Sequence, residues 1–425
     1  MIRFASVTLA SALAFALPRI SDATDWSQFR GPNHDGISTE TILTAWPPAG
    51  PRQIWKHPMT DGFSGITVGG GRAFTLVARE VDGASQEVCL ALDANSGNEL
   101  WSAPLGVAHY DMGGDRGLPE NNGGDGPRST PAYDNGRVYT YSSRMVLKCL
   151  DAATGSQIWA CDIIREHTGH NIHWESAASP LIEGNLVLIA GGGPGEALLA
   201  FDKKDGHVVW KGEDDKTTQS SPVAATILGQ RQVIFFTQKG LVSVVPETGA
   251  VLWRFPFKFQ TATGMSPVVC GDIVYCSAGY GVGSSACRIT RTGSGFTATQ
   301  MWYQPANILV NQWSTPIYSK GYLYGISGQS KFGVSPLVCV DASSGRMVWS
   351  QSGFGPGGCI LAGGNVLVLS DAGDLVLVKA TPASYQEIAR SHVLTGKCWN
   401  CASVSNGRIY ARSTREGVSL DVSPP

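Results

Sequence analysis

The sequence predicts an all-β protein, an eight-bladed β-propeller whose blades are four-stranded antiparallel sheets. Two landmarks that recur in phase along the chain predict this fold, together with a composition of 52 glycines and only 16% charged residues. A pattern of fixed spacing that returns at intervals of about 40 to 60 residues is typical of propellers and solenoids. Many short strands joined by tight turns account for the glycine content.

The first landmark is an Asp, a Gly four residues later and a Trp four residues after that Gly. In a β-hairpin the Asp can start the turn, the Gly accepts positive φ, and the Trp lies on the strand that follows. One Trp on each outer strand brings about 200 Å² of apolar surface for packing against the neighbouring blade. We therefore predict a structural role for Asp93, Gly97, Trp101, Asp151, Gly155, Trp159, Asp202, Gly206, Trp210, Asp341, Gly345 and Trp349, and for the partial copies at Trp55, Gly249, Trp253 and Trp302.

The second landmark is a Ser-Pro or Thr-Pro dipeptide that precedes a β-rich stretch. Proline fixes φ and lacks a backbone donor, which suits the first residue of a strand. Each unit therefore has one strand that opens at the dipeptide, one after a Gly turn, one that ends at the Asp and one that carries the Trp. The dipeptides are Thr130-Pro131, Ser179-Pro180, Ser221-Pro222, Ser266-Pro267 and Thr315-Pro316.

The number of repeat units predicts eight blades. Seven full units lie between Phe63 and Arg390, and the C-terminal residues supply only three strands of an eighth. Gln53-Ile54-Trp55 is an outer strand without a unit of its own. We predict that this strand joins the C-terminal strands and closes the ring, which removes the open sheet edges. The predicted organisation is a signal peptide at 1–23, an N-terminal extension at 24–52 and the propeller at 53–425.

The repeat resembles that of the pyrroloquinoline-quinone-like (PQQ-like) β-propellers, which include quinoprotein alcohol dehydrogenases and the outer-membrane assembly protein BamB. The resemblance covers nearly all of the chain after its leader. More narrowly, Asp25-Trp26-Ser27-Gln28-Phe29-Arg30-Gly31-Pro32-Asn33 is similar to the opening of exported, BamB-like propeller proteins of planctomycete-type bacteria. The resemblance implies the fold more directly than it implies an activity.

The N-terminus and the charge indicate an exported protein. Arg3 precedes an apolar run at 7–17 that is too short for a stable membrane anchor, and small residues follow near Ala23. This pattern is typical of a signal peptide cleaved near Ala23, with a retained anchor as the alternative. We therefore expect a soluble, periplasmic or otherwise exported monomer. The net charge of −2 does not indicate the excess of basic residues that nucleic-acid binding requires.

Ten cysteines in an exported chain allow up to five disulfides, although the pairing does not follow from the sequence. Cys149 and Cys161 lie almost symmetrically about a predicted turn and are one candidate pair. Cys398 and Cys401 are the other. The alternative is buried free thiols. No His follows Cys401, so the segment does not match a haem-attachment motif, and a structural role is favoured over a redox role.

Loops that interrupt the repeat are the places where function is expected. The insertion at 107–126 is rich in acidic residues and glycines but lacks the regular ladder of a calcium loop. The loop at 166–175 carries three histidines, which could coordinate Zn²⁺ or Cu²⁺; a polar loop packed on a neighbouring blade explains them equally well. The candidate ligand or partner residues are His109, Asp111, Arg144, His167, His170, His173 and Lys331.

Two functions from different classes fit these observations. One is a non-catalytic scaffold of the cell envelope that binds a protein, peptide or glycan. The other, implied by the resemblance, is a PQQ-dependent dehydrogenase with the quinone and calcium in the central channel. Such enzymes typically have adjacent cysteines and a longer chain, and this sequence contains no Cys-Cys dipeptide. We predict that the protein is the non-catalytic scaffold, and we assign it no catalytic residue and no cofactor. PQQ and calcium belong to the alternative, the dehydrogenase.

Overall fold

The computed structural model describes residues 24–110, 126–258, 263–305, 309–328 and 335–424, which form eight four-stranded antiparallel sheets. The sheets follow one another along the chain as blades 1 to 8, so the predicted eight-bladed β-propeller is confirmed. Within the described ranges, no helix has the length and apolar character that crossing a membrane requires.

The strands of blades 1 to 7 run in chain order from the central channel outwards, and blade 8 differs only in its outer strand. Blade 1 contains β2 (Thr67–Gly69), β3 (Arg72–Val81), β4 (Ala84–Asp93) and β5 (Glu99–Val107), and blade 2 contains β6 (Ala132–Asp134), β7 (Arg137–Tyr141), β8 (Val146–Asp151) and β9 (Gln157–Asp162), followed by the helical turn α1 (Ile163–Glu166). Blade 3 contains β10 (Leu181–Glu183), β11 (Leu186–Ala190), β12 (Leu198–Asp202) and β13 (Val208–Gly212), and blade 4 contains β14 (Val223–Ile227), β15 (Gln230–Thr237), β16 (Gly240–Val244) and β17 (Val251–Pro256). Blade 5 contains β18 (Val268–Cys270), β19 (Ile273–Ala278), β20 (Gly283–Thr292) and β21 (Gly295–Pro305), and blade 6 contains β22 (Ile317–Ser319), β23 (Tyr322–Ile326), β24 (Leu337–Asp341) and β25 (Met347–Gln351). Blade 7 contains β26 (Gly358–Ala362), β27 (Asn365–Leu369), β28 (Asp374–Lys379) and β29 (Glu387–His392), and blade 8 contains β30 (Ser403–Ser405), β31 (Arg408–Arg412), β32 (Glu416–Asp421) and, as its outer strand, β1 (Arg52–Pro58).

Blade 8 closes the ring in the predicted way. The N-terminal strand β1 pairs antiparallel with the C-terminal strand β32, with Trp55 opposite Ser419. The fully buried Arg412 of blade 8 then bonds to blade 1, where it donates to Thr75 Oγ1 at 3.1 Å and to the Leu76 carbonyl at 2.7 Å. Strand pairing and this buried guanidinium therefore join the two ends of the chain.

The core consists of apolar clusters between neighbouring blades. Successive residues of a strand point to opposite faces of its sheet. In blade 3, Val187 and Leu199 accordingly pack in a cluster with blade 2, whereas Leu188 and Ala200 pack in a cluster with blade 4. Each blade thus buries both faces, and its apolar residues are shielded from water only when both neighbours are in place.

The outer-strand tryptophans join each blade to the next. At six boundaries the indole Nε1 donates to a carbonyl in the hairpin between the third and fourth strands of the next blade, over 2.6 to 3.3 Å. At five of these boundaries the hairpin contains a glycine that has positive φ and lies against the indole ring, whereas the blade 7 hairpin that receives Trp349 contains no glycine. A Cβ atom on Gly155, for example, would lie only 2.7 Å from Cε3 of Trp101. The Asp-Gly-Trp repeat is therefore the contact between blades.

Two boundaries depart from this pattern. In blade 5 the β20–β21 hairpin is longer, and Trp253 of blade 4 donates instead to Oε1 of the buried Gln232 at 2.6 Å. In blade 7 the position opposite Leu377, which corresponds to the Trp of the other blades, is Ala389. Trp46 from the N-terminal region packs against the same apolar cluster as Ala389. The N-terminal region thus adds a Trp where the repeat lacks one.

The loops lie at two ends of the ring. We call the bottom face the end with the turns between first and second and between third and fourth strands. The top face carries the loops between second and third strands and the inter-blade loops, which lead from one blade into the next.

Residues 24–46 form an arm across the bottom face, which contacts blades 1, 2, 3, 6, 7 and 8. Its backbone makes bridges from Trp26 to Val68 and from Ile37 to Leu361. The carboxylate of Glu40 accepts the backbone N–H groups of Asn406 and Gly407 at 2.8 and 2.7 Å, and further bonds join Ser27 to Tyr133, Gln28 to Ile182 and Arg30 to Thr315 and Pro316. The arm therefore closes the bottom of the central channel.

Two buried basic residues of the arm lie inside the ring. The Arg30 guanidinium donates to the carbonyls of Thr315, Pro316 and Asp35 at 2.8 to 3.0 Å, and burial lowers its pKa. His34 is buried near Glu183 and Arg231, and burial lowers the pKa of its imidazole to about 4. His34 is therefore neutral at pH 7.

All ten cysteines are free thiols. Cys149 lies opposite Trp159 and Cys161 opposite Leu147, so this candidate pair is offset by two residues and unbonded. Burial raises the pKa of Cys149 to about 11 and that of Cys161 to about 12. The thiols are therefore protonated at neutral pH, and the alternative of buried free thiols describes them.

Replacing Gly155 with Ala tests the contact between blades. The new Cβ would combine positive-φ strain of about 1 to 2 kcal/mol with overpacking of about 1 to 3 kcal/mol against Trp101. Gly136→Ala is the matched control, because Gly136 has a similar φ of +79° but no heavy atom within 4 Å of an added Cβ. We expect denaturant unfolding to show a clearly larger loss of free energy for Gly155→Ala. Equal losses would contradict tight docking of the indole.

His34→Gln tests the pH dependence of the arm. The folded-state pKa of His34, about 4, lies below its unfolded value of 6.5, so its stabilising contribution is complete above pH 6.5 and declines as the pH falls towards 4. We expect the unfolding free energy of the natural protein, relative to His34→Gln, to fall by about 3 kcal/mol between pH 7 and 4. His170→Gln, a change at an exposed histidine, serves as the control. A difference that stays constant with pH would show that a protonated His34 is tolerated.

Candidate functional site at the top of the channel

The inner strands begin at a belt of hydroxyl groups around the channel. At most of the Ser/Thr-Pro dipeptides the hydroxyl oxygen accepts a backbone N–H of the preceding blade. The bonds run from Gly65 to Thr130, from Thr130 to Ser179, from Ser179 to Ser221 and from Ser266 to Thr315, each at 2.8 to 2.9 Å. The belt thus fixes the ends of the inter-blade loops where they meet the channel.

Three aromatic rings from the inter-blade loops stack at the mouth of the channel. The Trp399 ring lies 5.2 Å from that of Phe63 and 4.9 Å from that of Trp313, with interplanar angles of 15° and 20°. The indole N–H of Trp313 donates to the Pro356 carbonyl at 3.2 Å. These loops lead into blades 1, 6, 7 and 8, so the stack spans that side of the mouth.

A second stack lies on the side of blades 3 to 5. Trp174 stacks on Tyr280 with ring centroids 5.8 Å apart, and a hydrogen bond with Gln312 partly offsets the rise that burial causes in the pKa of Tyr280. Arg128 donates to the Trp174 carbonyl at 2.7 Å. Gln312 directly precedes Trp313 in the chain, which links Tyr280 to the first stack. Pro127, the residue before Arg128, accepts the backbone N–H of Phe63 at its carbonyl, over 2.8 Å. The two stacks thus form one closed chain of contacts, the aromatic circuit, made of Phe63, Arg128, Trp174, Tyr280, Trp313 and Trp399.

The three histidines predicted as metal ligands have separate environments. His167 is buried, with its Nδ1 atom 2.5 Å from Glu196 Oε2 and its ring edge against Phe201. His170 is exposed, and the ring of His173 lies 4.4 Å from that of Trp174, beside the aromatic circuit. These positions show no preassembled ligand set that contains all three imidazoles.

The other predicted residues lie apart from one another. Arg144 forms an ion pair with Glu175 at 3.1 Å, and His109 is exposed, whereas Asp111 and Lys331 fall outside the described residues. Among the described residues, one group of three acidic, His or Cys side chains has its ligand atoms within 4.8 Å of one another. It consists of Asp202, Asp205 and His207, on the bottom face of blade 3.

Buried carboxylates hold the top-face loops together. Glu87 accepts the Tyr110 hydroxyl at 2.5 Å and the Ser143 N–H at 3.0 Å, while burial raises the pKa of its carboxyl. Asn171 donates to the Ser143 carbonyl at 2.8 Å and to the carboxylate of Glu175. Glu87 and Glu175 thus connect loops of blades 1, 2 and 3.

The described mouth does not fit the calcium-bound quinone that the resemblance implies. The Trp399 ring already stacks on Phe63 and on Trp313, so a planar cofactor that stacked on it would have to displace one of these contacts. Glu175 is committed to Arg144 and Asn171. Cys398 and Cys401 are free thiols. We therefore derive no reaction step through a quinone.

Sequence reasoning missed most of the aromatic circuit. The sequence did contain a signal for these residues. Seven of the 12 tryptophans occupy the outer-strand position of the repeat, and the other five do not. Those five are Trp26 and Trp46 in the arm and Trp174, Trp313 and Trp399 in the circuit. Tryptophans out of phase with the repeat therefore marked the two ends of the channel.

The fold, the Asp-Gly-Trp contacts and the belt define the class, a PQQ-like repeat propeller. The family described as "Outer membrane protein assembly factor BamB" matches residues 84–351. This match covers more than half of the chain, and the protein belongs to that family.

Curated relatives include both assembly factors and enzymes. A tetrathionate hydrolase of Acidithiobacillus ferrooxidans is 26% identical over 240 residues, 49% of this chain and 43% of the relative. The dehydrogenase subunit of a quinone alcohol dehydrogenase from Gluconacetobacter polyoxogenes is 25% identical over 341 residues, 71% of this chain and 44% of the relative. The chain therefore spans less than half the length of either protein.

Solved structures show the same fold. The crystal structure of BamB from Moraxella catarrhalis aligns with a TM-score of 0.61 at 16% identity, over 88% of this chain and 98% of that one.

Ser179→Ala tests the hydroxyl belt. The change leaves the buried N–H of Thr130 without its acceptor, which we expect to lower the free energy of unfolding by about 1 to 3 kcal/mol. Ser129→Ala is the matched control, since the Ser129 hydroxyl has no hydrogen-bond partner among the described residues. Denaturant unfolding of both variants measures the difference. If the two substitutions have equal effects, the belt does not stabilise the ring.

Proposed function

We propose that this protein is a non-catalytic scaffold of the cell envelope that binds a protein, peptide or glycan through its top face. The observation that carries this proposal is the asymmetry of the channel. The arm closes the bottom face with bonds to six blades, whereas the top face presents half-buried aromatic and polar side chains of the inter-blade loops. A ligand of the channel therefore reaches it from the top.

The engagement of charged groups supports a binding role over a catalytic one. Glu87 and Glu175 hold loops together, and Lys239 pairs with Asp215 at 2.6 Å. General acid–base catalysis needs a titratable group placed at a reacting atom. Glu87 and Glu175 are instead used in contacts between loops.

Membership of the BamB family supports a place in the cell envelope. We propose export through the N-terminal leader, with cleavage near Ala23. Residues beside the circuit, above all the exposed His170 and His173, are proposed to contact the partner. The same proposal extends to His109, Asp111, Arg144 and Lys331.

Site-specific photo-crosslinking in the native envelope tests the scaffold. The photoreactive residue is placed at His170 on the top face or, as a control on the same blade, at Asp205 on the bottom face; both positions are exposed. We expect a discrete crosslinked partner from position 170 and none from position 205.

Two outcomes would contradict the proposal. Crosslinks from position 205 alone would place the binding surface on the bottom face. Dye-linked alcohol oxidation by the purified protein, after addition of PQQ and calcium, would show that it is an enzyme.

A further inference from the structure

Four buried polar atoms of the inter-blade loops have no hydrogen-bond partner among the described residues. They are the hydroxyl oxygens of Ser129, Ser266 and Ser314 and Oδ1 of Asn400. An unsatisfied buried polar group costs about 1 to 3 kcal/mol, so such atoms mark places where a ligand or an ordered water supplies the missing bond. Four such atoms in equivalent loops around one channel indicate a polar site.

These atoms lie next to the aromatic circuit in the sequence. Ser129 follows Arg128, Ser314 follows Trp313 and Asn400 follows Trp399. The tryptophans are half-buried, so part of each indole is open to solvent. Half-buried tryptophans at the mouth are therefore followed in the chain by neutral oxygen atoms that are buried and lack a partner among the described residues.

The charged groups of the mouth are already engaged. Arg128 donates to the Trp174 carbonyl and lies over the ring of Tyr110, Glu175 pairs with Arg144, and the Lys397 ammonium lies 6.0 Å from the centroid of the Trp399 ring. The polar atoms left without a partner are hydroxyl and amide oxygens, which carry no charge. This combination favours a neutral ligand over an anionic one.

We propose that the top mouth of the channel binds a neutral sugar unit at the end of a glycan chain. A sugar ring has an apolar C–H face that can lie on an indole, and neutral hydroxyls at its edge that donate and accept hydrogen bonds. In this site the C–H face lies on Trp313 or Trp174, and the hydroxyls bond to Ser314 and Asn400. The inference rests on the proposed function, because it names the ligand of the same face.

The closed bottom face determines which part of a glycan fits. The arm and the Arg30 guanidinium close the channel below the belt, so a polymer cannot pass through the ring. A ligand has to enter from the top and stop. The site therefore takes a chain end or a short branch.

Titration of the purified protein with neutral tetrasaccharides tests this inference. The probes are chitotetraose, cellotetraose and maltotetraose, followed by calorimetry and tryptophan fluorescence. We expect at least one to bind at millimolar concentration or below, and Trp313→Ala to weaken that binding by about tenfold or more, as for an aromatic residue central to an interface. Trp313→Phe, which keeps an aromatic face, should weaken it less.

Serine variants separate ligand contacts from folding. Ser314→Ala removes a hydroxyl that has no partner among the described residues, so we expect weaker sugar binding with a melting temperature that is equal or higher. Ser419→Ala, at a buried serine of β32 in blade 8, is the matched control and should leave affinity unchanged. Equal affinity of Trp313→Ala, Ser314→Ala and the natural protein for the sugar would overturn the inference.

The remaining outcomes are also decisive. Failure of all three neutral sugars to bind at millimolar concentration would overturn the inference, as would tighter, Trp313-dependent binding of PQQ or an acidic sugar. The scaffold proposal is tested separately by crosslinking at position 170. A partner recovered there without sugar binding would refute the glycan site and leave the scaffold standing.

Discussion

The docking of outer-strand indoles on the hairpin turns of the next blade is the interaction on which the ring depends. A single blade is a four-stranded sheet with two apolar faces, and neither face can be buried without a neighbour. The indole fixes the distance between neighbours because its N–H reaches a turn carbonyl while its ring fills the space left by an absent Cβ, as at Trp101 and Gly155. The N-terminal region compensates where this contact is weakest. It provides the outer strand of blade 8, and Trp46 packs in the cluster that contains Ala389.

The inside of the ring is organised by polar contacts rather than by apolar packing. The hydroxyl belt fixes the inner strands at the top, and the arm reaches into the ring from below. Arg30 and Arg412 are buried and donate to carbonyl and hydroxyl oxygens, so their charges are stabilised by dipoles. Breaking such contacts would leave a buried charge unsatisfied, which is a strong penalty. The polar interior thus selects one arrangement of the arm and leaves the channel open at the top only.

The sequence predicted the ring but only part of the site, for a physical reason. The blades follow from short-range patterns, because a turn residue and the next outer strand are neighbours in the chain. The aromatic circuit depends on contacts between distant segments, such as Phe63 with Trp399 and Trp174 with Tyr280. No local spacing encodes these contacts. The three histidines show that neighbours in sequence can have separate surroundings, since the fold places His167 on Glu196 and leaves His170 exposed.

The separation between repeat positions, which build the ring, and loop positions, which build the mouth, explains how one fold can serve both scaffolds and enzymes. Positions of the repeat are constrained by contacts between blades, and where one departs from the pattern, as at Ala389, other residues pack in the same cluster. The inter-blade loops are attached to the belt at their ends, and their middle residues are free to differ. In this protein those residues contact one another: Trp399 stacks on Phe63 and Trp313, and Glu175 accepts hydrogen bonds from Arg144 and Asn171. Such a mouth is organised before any ligand arrives, which lowers the entropic cost of binding. Glu87 and Glu175 contribute to this organisation, because both carboxylates are bonded to neighbouring loops.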